Sequence, residues 1–280
     1  MNAIEAIVLG IVQGLTEFLP ISSTAHVRIV PSLLGWDDPG AAFTAVIQLG
    51  TMAAVVIYFR NDLTRIAKSW AKSLTDVEAR SDHDAKMGWF ILLGTLPVGI
   101  FGFIFKDTIE SAARSLYVIG IVMILFSLLM AAADATAKRT RDVEQLDRGD
   151  AIFIGLWQAL ALIPGVSRSG STITAGLFRG LNEVAAARYS FLLSIPAVVA
   201  SGLFELKGIG DAKCAHGVEN CATASPATTA IATIVSFAVG YWAIGFLLKW
   251  LTSNNLKPFV IYRIIVGVLV LLLAATGAIT

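Results

Sequence analysis

The sequence predicts an all-α integral membrane protein with six membrane-spanning helices and two re-entrant helical hairpins. Three observations support this fold class: the composition, six charge-free stretches and two interrupted apolar segments. The 280-residue chain is 56% hydrophobic and 15% charged, with a mean hydropathy of +0.75, which is too apolar for an ordinary soluble domain. A spanning helix needs roughly 20 mostly apolar residues. The charge-free stretches of about this length are 41–59, 87–105, 115–133, 189–204, 222–248 and 264–280.

Two further apolar segments, 1–39 and 151–181, are each interrupted by a proline and a cluster of hydroxyl residues. Pro20 precedes Ser22-Ser23-Thr24, and Pro164 precedes a serine-rich run that contains Arg168. Because proline ends a helix and Ser or Thr favours the start of the next one, each segment predicts a helix, a turn and a second short helix. Irregular backbone at membrane depth is tolerated where it is buried in protein or lines a wet cavity. We therefore expect both breaks to share one polar site.

Basic residues set the expected orientation. They concentrate in 60–86 and 138–148, and because cytoplasmic loops are enriched in Lys and Arg, both stretches are expected in the cytoplasm and loop 206–222 outside. That loop contains Cys214 and Cys221, which an oxidising exterior would let pair; two unpaired thiols are the alternative, and the spacing does not match a zinc site. A net charge of +1 argues against a nucleic-acid partner. No basic residue precedes Arg28, so we expect no cleavable signal.

The two interrupted segments resemble each other. Residues 10–15 read Gly-Ile-Val-Gln-Gly-Leu and residues 155–160 read Gly-Leu-Trp-Gln-Ala-Leu, and aligning the prolines that follow requires a one-residue gap. Each segment precedes three predicted spans, and an odd number of spans inverts the second copy. We therefore predict a single membrane domain with inverted repeats at 1–134 and 151–280 and a cytoplasmic linker at 135–150. Chance similarity between apolar stretches is the alternative.

Gln13 and Glu17 are four residues apart and therefore share one helix face. An ionisable side chain at the centre of a spanning helix costs about 2.5 to 3.5 kcal/mol and is a functional candidate for that reason. Glu17 is predicted either to hold a divalent cation, with Gln13 as a neutral oxygen ligand, or to orient a hydroxyl group. A buried Glu17–Arg168 pair that only joins the two halves is the structural alternative.

The three consecutive hydroxyls of Ser22, Ser23 and Thr24 exceed what one helix N-cap needs. We predict Ser23 as a nucleophile, because an alcohol needs a nearby base and both Glu17 and His26 are close in sequence. Ser22 and Thr24 are predicted to bind phosphate. His26 suits proton transfer inside the membrane, since the other two histidines fall in predicted loops. In the alternative, His26 is the nucleophile and Ser23 only binds phosphate.

The second turn carries Arg168, whose planar guanidinium matches phosphate oxygens and would stabilise charge that builds up during transfer. The N–H groups at a helix start also bind phosphate, so the sequence predicts a phosphorylated lipid as substrate. The further predicted phosphate ligands of this turn are Gly165, Ser167, Ser169, Gly170 and Thr172. An ordinary turn is the alternative for the two glycines.

Other features are less specific. Gly10 and Gly14 form a G-x-x-x-G pattern that is typical of helix packing. Tyr262, like Trp242 and Trp250, is expected at a membrane interface or a lipid contact. Arg263 is expected either to snorkel or to help hold a lipid phosphate, and it is left out of the predicted site.

Residues 13–26, which include Glu17, Ser23 and His26, together with 164–172 around Arg168, closely resemble the motifs of the bacterial undecaprenyl-diphosphate phosphatase family, also called bacitracin resistance proteins. The motif order, the length and the pattern of spans agree over essentially the whole chain. The resemblance implies a hydrolase of the bacterial inner membrane that removes the terminal phosphate of undecaprenyl diphosphate and recycles the carrier lipid of cell-wall synthesis, with its site facing the periplasm.

The resemblance also implies a divalent cation, Mg²⁺ or Ca²⁺, near Gln13 and Glu17, a catalytic Ser23 and His26, and a phosphate-binding Arg168. Ala25 replaces the family's usual glycine, and its methyl group restricts the turn. The expected partners are the membrane and a polyprenyl diphosphate lipid, with a homodimer left open. A flippase for prenyl phosphates is the alternative function, because inverted repeats with broken helices are a transporter layout. The Ser–His–Glu set exceeds what transport requires, so we favour the enzyme.

Overall fold

The computed structural model describes residues 1–105, 115–205 and 224–279, and within these ranges the regular structure is helical. The α-helices are α1 (Ala3–Phe18), α2 (Ser23–Leu34), α3 (Gly40–Tyr58), α4 (Arg60–Thr75), α5 (His83–Ile104), α6 (Leu116–Thr136), α7 (Arg148–Leu160), α8 (Arg168–Phe178), α9 (Glu183–Glu205), α10 (Pro226–Leu251) and α11 (Lys257–Ala275). Short 3-10 helices lie at Glu78–Ser81 and Val143–Gln145. Cys214 and Cys221 lie outside the described residues, so their pairing stays a prediction.

Five of these helices, α5, α6, α9, α10 and α11, are long and apolar enough to cross a membrane. Their outer faces expose large apolar side chains, such as Phe103 at 88% and Ile234 at 68% exposure, which suits lipid and not water. A sixth candidate is the pair α3 and α4, which are bent by 79° at their junction. The chain is thus an all-α, multi-pass membrane protein with five helices of spanning length among the described residues, or six if the bent pair counts as one span.

Helix α4 differs from the helix before it. Its Ile66 is buried, whereas Arg60, Lys68 and Lys72 are exposed, so one face is apolar and the other basic. A helix of this kind lies along a membrane surface more readily than across the membrane. The bend therefore falls where the apolar stretch ends and the basic stretch begins.

The two interrupted segments form two helix pairs, α1–α2 and α7–α8, with closely similar local geometry. Each first helix starts at a capping box, Asn2 with Glu5 and Asp147 with Asp150. Each second helix follows a serine with positive φ, Ser22 at 78° and Ser167 at 72°. A non-glycine residue in this region is strained by about 1–2 kcal/mol. The two breaks therefore share an unusual backbone conformation.

These matched positions also correct the predicted alignment. Asn2 and Asp147 are separated by as many residues as Gln13 and Gln158, or as Ser22 and Ser167. The two pairs of helices therefore align without the predicted gap. The prolines, not the serines, are the positions that fail to coincide.

Each helix pair packs against a long helix from the other half of the sequence. Helix α1 packs on α10, and α7 packs on α5. A Cβ atom added at Gly10 would lie 2.6 Å from the carbonyl oxygen of Ala232, and one added at Gly155 would lie 2.5 Å from that of Gly94. Such close backbone approach requires glycine, which confirms the packing role expected for Gly10.

A buried ion cluster holds the start of α7. The carboxylate of Asp150 accepts hydrogen bonds from Arg141 Nη2 at 2.6 Å and from Arg179 Nε at 2.5 Å, and its side chain has no exposed surface. Two guanidinium groups offset the cost of burying this charge. The cluster ties the segment before α7 to the end of α8.

Candidate active site

The end of α1 and the start of α2 bring a hydroxyl onto a carboxylate. Ser23 Oγ donates to Glu17 Oε2 at 2.6 Å, and Gln13 Nε2 donates to the same oxygen at 2.7 Å. All three side chains are buried. The i, i+4 spacing within α1 sets the second contact, whereas the first arises because the short break turns α2 back onto the last turn of α1.

Arg168, the first residue of α8, reaches the same carboxylate from the second half of the chain. Its Nη2 donates to Glu17 Oε1 in an ion pair. The side chain of Arg168 is 15% exposed and that of Glu17 is 4% exposed. The structure therefore brings together four of the residues singled out in the sequence, Gln13, Glu17, Ser23 and Arg168, and the pair considered as a structural alternative is present.

The first turns of α2 and α8 meet at this carboxylate. Ser169 Oγ donates to the carbonyl of Leu19 at 3.2 Å across the two breaks. The hydroxyls of Ser22 and Thr24 lie 3.3 Å apart, as do those of Ser167 and Ser169. These predicted phosphate ligands therefore occupy equivalent places in the two turns.

The two helix starts differ in their capping. Ser167 Oγ accepts from the N–H of Gly170 at 3.1 Å, whereas Ser22 makes no side-chain capping bond to α2. Uncapped N–H groups at a helix start favour an anion. The start of α2, where Ser23 lies, is consequently the better anion site of the two.

Three further predicted phosphate ligands have structural contacts. Gly165 has a φ of 92°, and a Cβ there would lie 2.8 Å from the carbonyl of Ile119. Thr172 Oγ1 bonds to the carbonyl of Arg168 at 2.8 Å and lies 2.6 Å from Ser190 Oγ on α9. Gly170 donates its N–H to the cap at Ser167, so each of these three residues already has a role in the local fold. Phosphate binding by them stays a prediction.

His26 is buried in the first turn of α2, but its ring is directed to α11. Nδ1 lies 2.7 Å from the carbonyl of Ser22, and Nε2 lies 2.8 Å from the hydroxyl of Tyr262, whose ring stacks on it. Because a carbonyl only accepts, Nδ1 carries a proton, and when the ring is neutral Nε2 therefore accepts from Tyr262. Of the two candidate bases, Glu17 is the one that contacts Ser23.

Arg263 is the residue that the sequence-based site missed. It does not snorkel, because it is only 1% exposed. Its guanidinium donates to the carbonyls of Pro20, Gly165 and Val166 at 3.3, 2.9 and 3.1 Å. It was detectable as a charge within an apolar helix, where an ionisable residue is a functional candidate.

A divalent cation would find few protein ligands here. Within the described ranges, no group of three or more His, Cys, Asp or Glu side chains is placed to hold a metal ion. Gln13 Oε1 is nevertheless buried without a partner next to Glu17. Mg²⁺ is commonly bound by one or two carboxylates and completed by substrate phosphates. Gln13 and Glu17 therefore fit a cation that shares its coordination with a phosphorylated substrate.

The charges around the two breaks favour a polyanion. The guanidinium of Arg168 pairs with the Glu17 carboxylate, the guanidinium of Arg263 bonds to carbonyls of both breaks, and two helices begin there. Each helix N-terminus carries about half a positive charge. These groups are positive in sum, and the hydroxyl of Ser23 lies at one of the two helix starts, bonded to Glu17.

Comparison with known proteins agrees with these features. The family model described as "Bacitracin resistance protein BacA" matches residues 6–269. Proteins named "Undecaprenyl-diphosphatase" from a Nocardioides species and from Pseudarthrobacter chlorophenolicus are each 50% identical to the chain, and the alignments cover 100% of it and 99% and 100% of the relatives. One of the same name from Mycolicibacterium smegmatis is 50% identical over 99% of the chain and 98% of that relative.

Proposed function

Because the chain belongs to the bacitracin resistance protein BacA family, we propose that it is an undecaprenyl-diphosphatase. It is a membrane hydrolase that converts undecaprenyl diphosphate to undecaprenyl phosphate and inorganic phosphate, and so recycles the carrier lipid of cell-wall synthesis. One observation supports assigning this function to particular residues: Ser23 and Arg168 both contact one buried carboxylate, that of Glu17. Nucleophile, base and phosphate ligand are thereby adjacent.

In the proposed mechanism, Ser23 Oγ attacks the terminal phosphorus and Glu17 takes the hydroxyl proton, since the two oxygens are 2.6 Å apart. The bond from phosphorus to the bridging oxygen breaks, and undecaprenyl phosphate leaves. Water then attacks the phosphoserine, the bond from phosphorus to Ser23 Oγ breaks and Glu17 returns its proton to that oxygen. Inorganic phosphate leaves with the water's oxygen and protons, which regenerates both the hydroxyl and the carboxylate. We favour Ser23 over His26 as the nucleophile, because Nε2 of His26 is already hydrogen-bonded to Tyr262.

Arg168 has two partners in this mechanism. Without substrate it pairs with Glu17; with a phosphoryl group present it turns to the phosphate oxygens, which it matches in geometry. The exchange leaves Glu17 free to accept the proton of Ser23. The uncapped N–H groups of α2 bind the same oxygens and stabilise the charge that develops on them.

Gln13 and Glu17 are the residues that would hold a divalent cation. When bound, the cation would neutralise charge on the diphosphate. The unpartnered Gln13 Oε1 supports this proposal. Mg²⁺ and Ca²⁺ both accept such oxygen ligands.

We further propose that α1–α2 and α7–α8 are re-entrant hairpins, that α3 is the sixth span, and that 1–134 and 151–280 are inverted repeats joined by a cytoplasmic linker. The matched caps and serines, and the packing of each helix pair on the opposite half, support this arrangement. We also propose that the protein lies in the bacterial inner membrane with its site facing the periplasm, as the family resemblance implies, and the basic stretches 60–86 and 138–148 support a cytoplasmic side for those loops. The homodimer stays a prediction.

Purified protein in detergent or vesicles tests the function. Undecaprenyl diphosphate is expected to yield inorganic phosphate, and chelation of divalent cations is expected to stop release until Mg²⁺ or Ca²⁺ is restored. No release in either condition would contradict the proposal. A flippase would instead move lipid between leaflets in a Ser23→Ala protein, and the names of the relatives do not favour it.

A further inference from the structure

Helix α11 carries a buried cation that contacts both helix breaks. Arg263 donates to Pro20, which lies in the break before α2, and to Gly165 and Val166, which lie in the break before α8. Its Nε also donates to Ser127 Oγ on α6 at 2.9 Å. One guanidinium therefore connects the two turns from which Ser23 and Arg168 project.

The charge of this group is not balanced by an acidic side chain. In the described part of the chain, all the hydrogen bonds of Arg263 run to backbone carbonyls and one hydroxyl. Arg263 forms no ion pair with a carboxylate among these residues. Arginine stays protonated in proteins, and a buried charge without a counter-ion is costly. Carbonyl dipoles reduce this cost, and an anion beside the group would reduce it further.

Its position is next to the proposed phosphate site. A Cβ added at Gly170, in the first turn of α8, would lie 3.5 Å from Arg263 Nη1. The guanidinium thus lies between the break that leads to Ser23 and the first turn of the helix that begins with Arg168. Both residues depend on backbone that Arg263 holds.

We propose that Arg263 is a positioning residue of the phosphatase: it fixes the two breaks so that Ser23 and Arg168 reach one phosphoryl group, and the bound diphosphate balances its charge. The inference rests on the proposed function and deepens it. It separates two contributions of one side chain. The N–H donors of the planar guanidinium set the geometry of the reacting groups, and its positive charge contributes to substrate binding.

Two substitutions separate these contributions. Arg263→Lys keeps the charge but replaces the planar fork by a single ammonium group, which cannot reproduce donors directed at both breaks. Its expected kcat for undecaprenyl diphosphate is at least about tenfold lower, with a KM within about threefold of the wild type. Arg263→Gln also removes the charge, and its expected KM is at least about tenfold higher. Arg139→Lys is the matched control, because Arg139 pairs with Asp134 and Glu183 away from the breaks.

Folded Arg263→Lys protein with the wild-type kcat, or folded Arg263→Gln protein with the wild-type KM, would overturn the inference. If both variants fail to fold, Ser127→Ala provides the test, because it removes one hydrogen bond of Arg263 and leaves the others. The expected kcat of this variant is about threefold lower at unchanged KM. A wild-type kcat would overturn the proposal. Failure of the wild-type protein to release phosphate would instead refute the function itself.

Discussion

The hydroxyl oxygen of Ser23 lies 2.6 Å from Oε2 of Glu17, across the break between α1 and α2. An alcohol attacks phosphorus poorly unless its proton has an acceptor. Here the acceptor is in hydrogen-bond contact before substrate arrives. The other oxygen of the same carboxylate is held by Arg168, so the proposed base and the proposed phosphate ligand are in direct contact.

Replacing Ser23 by alanine should abolish turnover while leaving the fold intact. We expect kcat to fall at least about 10³-fold, because the attacking atom is removed. Phosphate release and thermal unfolding in detergent measure the two effects. Ser201→Ala is the matched control, since the hydroxyl of Ser201 bonds to the carbonyl of Val198 within α9, away from the two breaks. Turnover above about a tenth of the wild type in Ser23→Ala would contradict the assignment.

The pair of Glu17 and Arg168 can be tested against a purely structural role. Glu17→Gln should lower stability, because Arg168 loses its carboxylate, and should also stop turnover. Adding Arg168→Gln removes the unpaired charge, so the double variant should regain about 1–3 kcal/mol of the lost stability and remain inactive. Thermal unfolding and phosphate release are measured on the same samples. A double variant with wild-type turnover would show that the pair only joins the halves.

Tyr262→Phe should disturb His26 without disturbing the packing of its ring. The phenyl ring keeps the stacking contact, whereas the hydrogen bond to Nε2, worth about 1 kcal/mol, is lost. We expect stability to fall by about that amount and kcat to fall about three- to tenfold if His26 moves protons. Tyr241→Phe is the control, because its ring packs on Tyr58. A nitrogen NMR spectrum of the wild type with the His26 proton on Nε2 would contradict the assigned tautomer.

Gly155→Ala should destabilise the protein because its Cβ would lie 2.5 Å from the carbonyl oxygen of Gly94. Overpacking of this kind costs about 1–3 kcal/mol. Gly102→Ala on α5 is the matched control, since the described atom nearest to its added Cβ, on Leu162, would lie at 3.8 Å. Alanine there should raise stability by up to about 1 kcal/mol. Equal unfolding temperatures for the two variants would contradict the close approach of α5 and α7.

The ion cluster at Asp150 should make stability depend on pH. Burial alone would raise the pKa of the Asp150 carboxyl, but the hydrogen bonds from Arg141 and Arg179 outweigh burial and hold that pKa below its usual value. A lowered pKa in the folded state adds stability above the unfolded pKa of about 3.9, and this contribution disappears as the pH falls through the folded value. The wild type should therefore exceed Asp150→Asn in unfolding temperature at neutral pH, and the difference should shrink below about pH 4. A difference that is constant with pH would contradict the ion-pair role.

Local signals in the sequence predicted the helix breaks well. Proline followed by hydroxyl residues acts on its own neighbourhood, so the ends of α1 and α7 and the starts of α2 and α8 were detectable. The positive φ of Ser22 and Ser167 was not, because serine carries no mark of that conformation. As a result the prolines were aligned in place of the serines.

Contacts between distant parts of the chain were harder to predict. Glu17 and Arg168 were considered as a pair because both are charges in apolar surroundings, and the structure places them in contact. Arg263 was expected either to snorkel or to help hold a lipid phosphate, because nothing near it in sequence indicates the carbonyls of Pro20 and Gly165 that it contacts. The bend between α3 and α4 falls at a charge boundary, and the sharpness of the turn depends on packing.

Arg263 lies on α11, yet it binds the break that follows α1. The ribosome completes α1 and α2 long before α11 emerges. The first hairpin is therefore synthesised well before the arginine that contacts its break. Loss of α11 would leave both serine turns without the guanidinium that joins them, so the geometry of the two breaks depends on a helix distant in sequence from either.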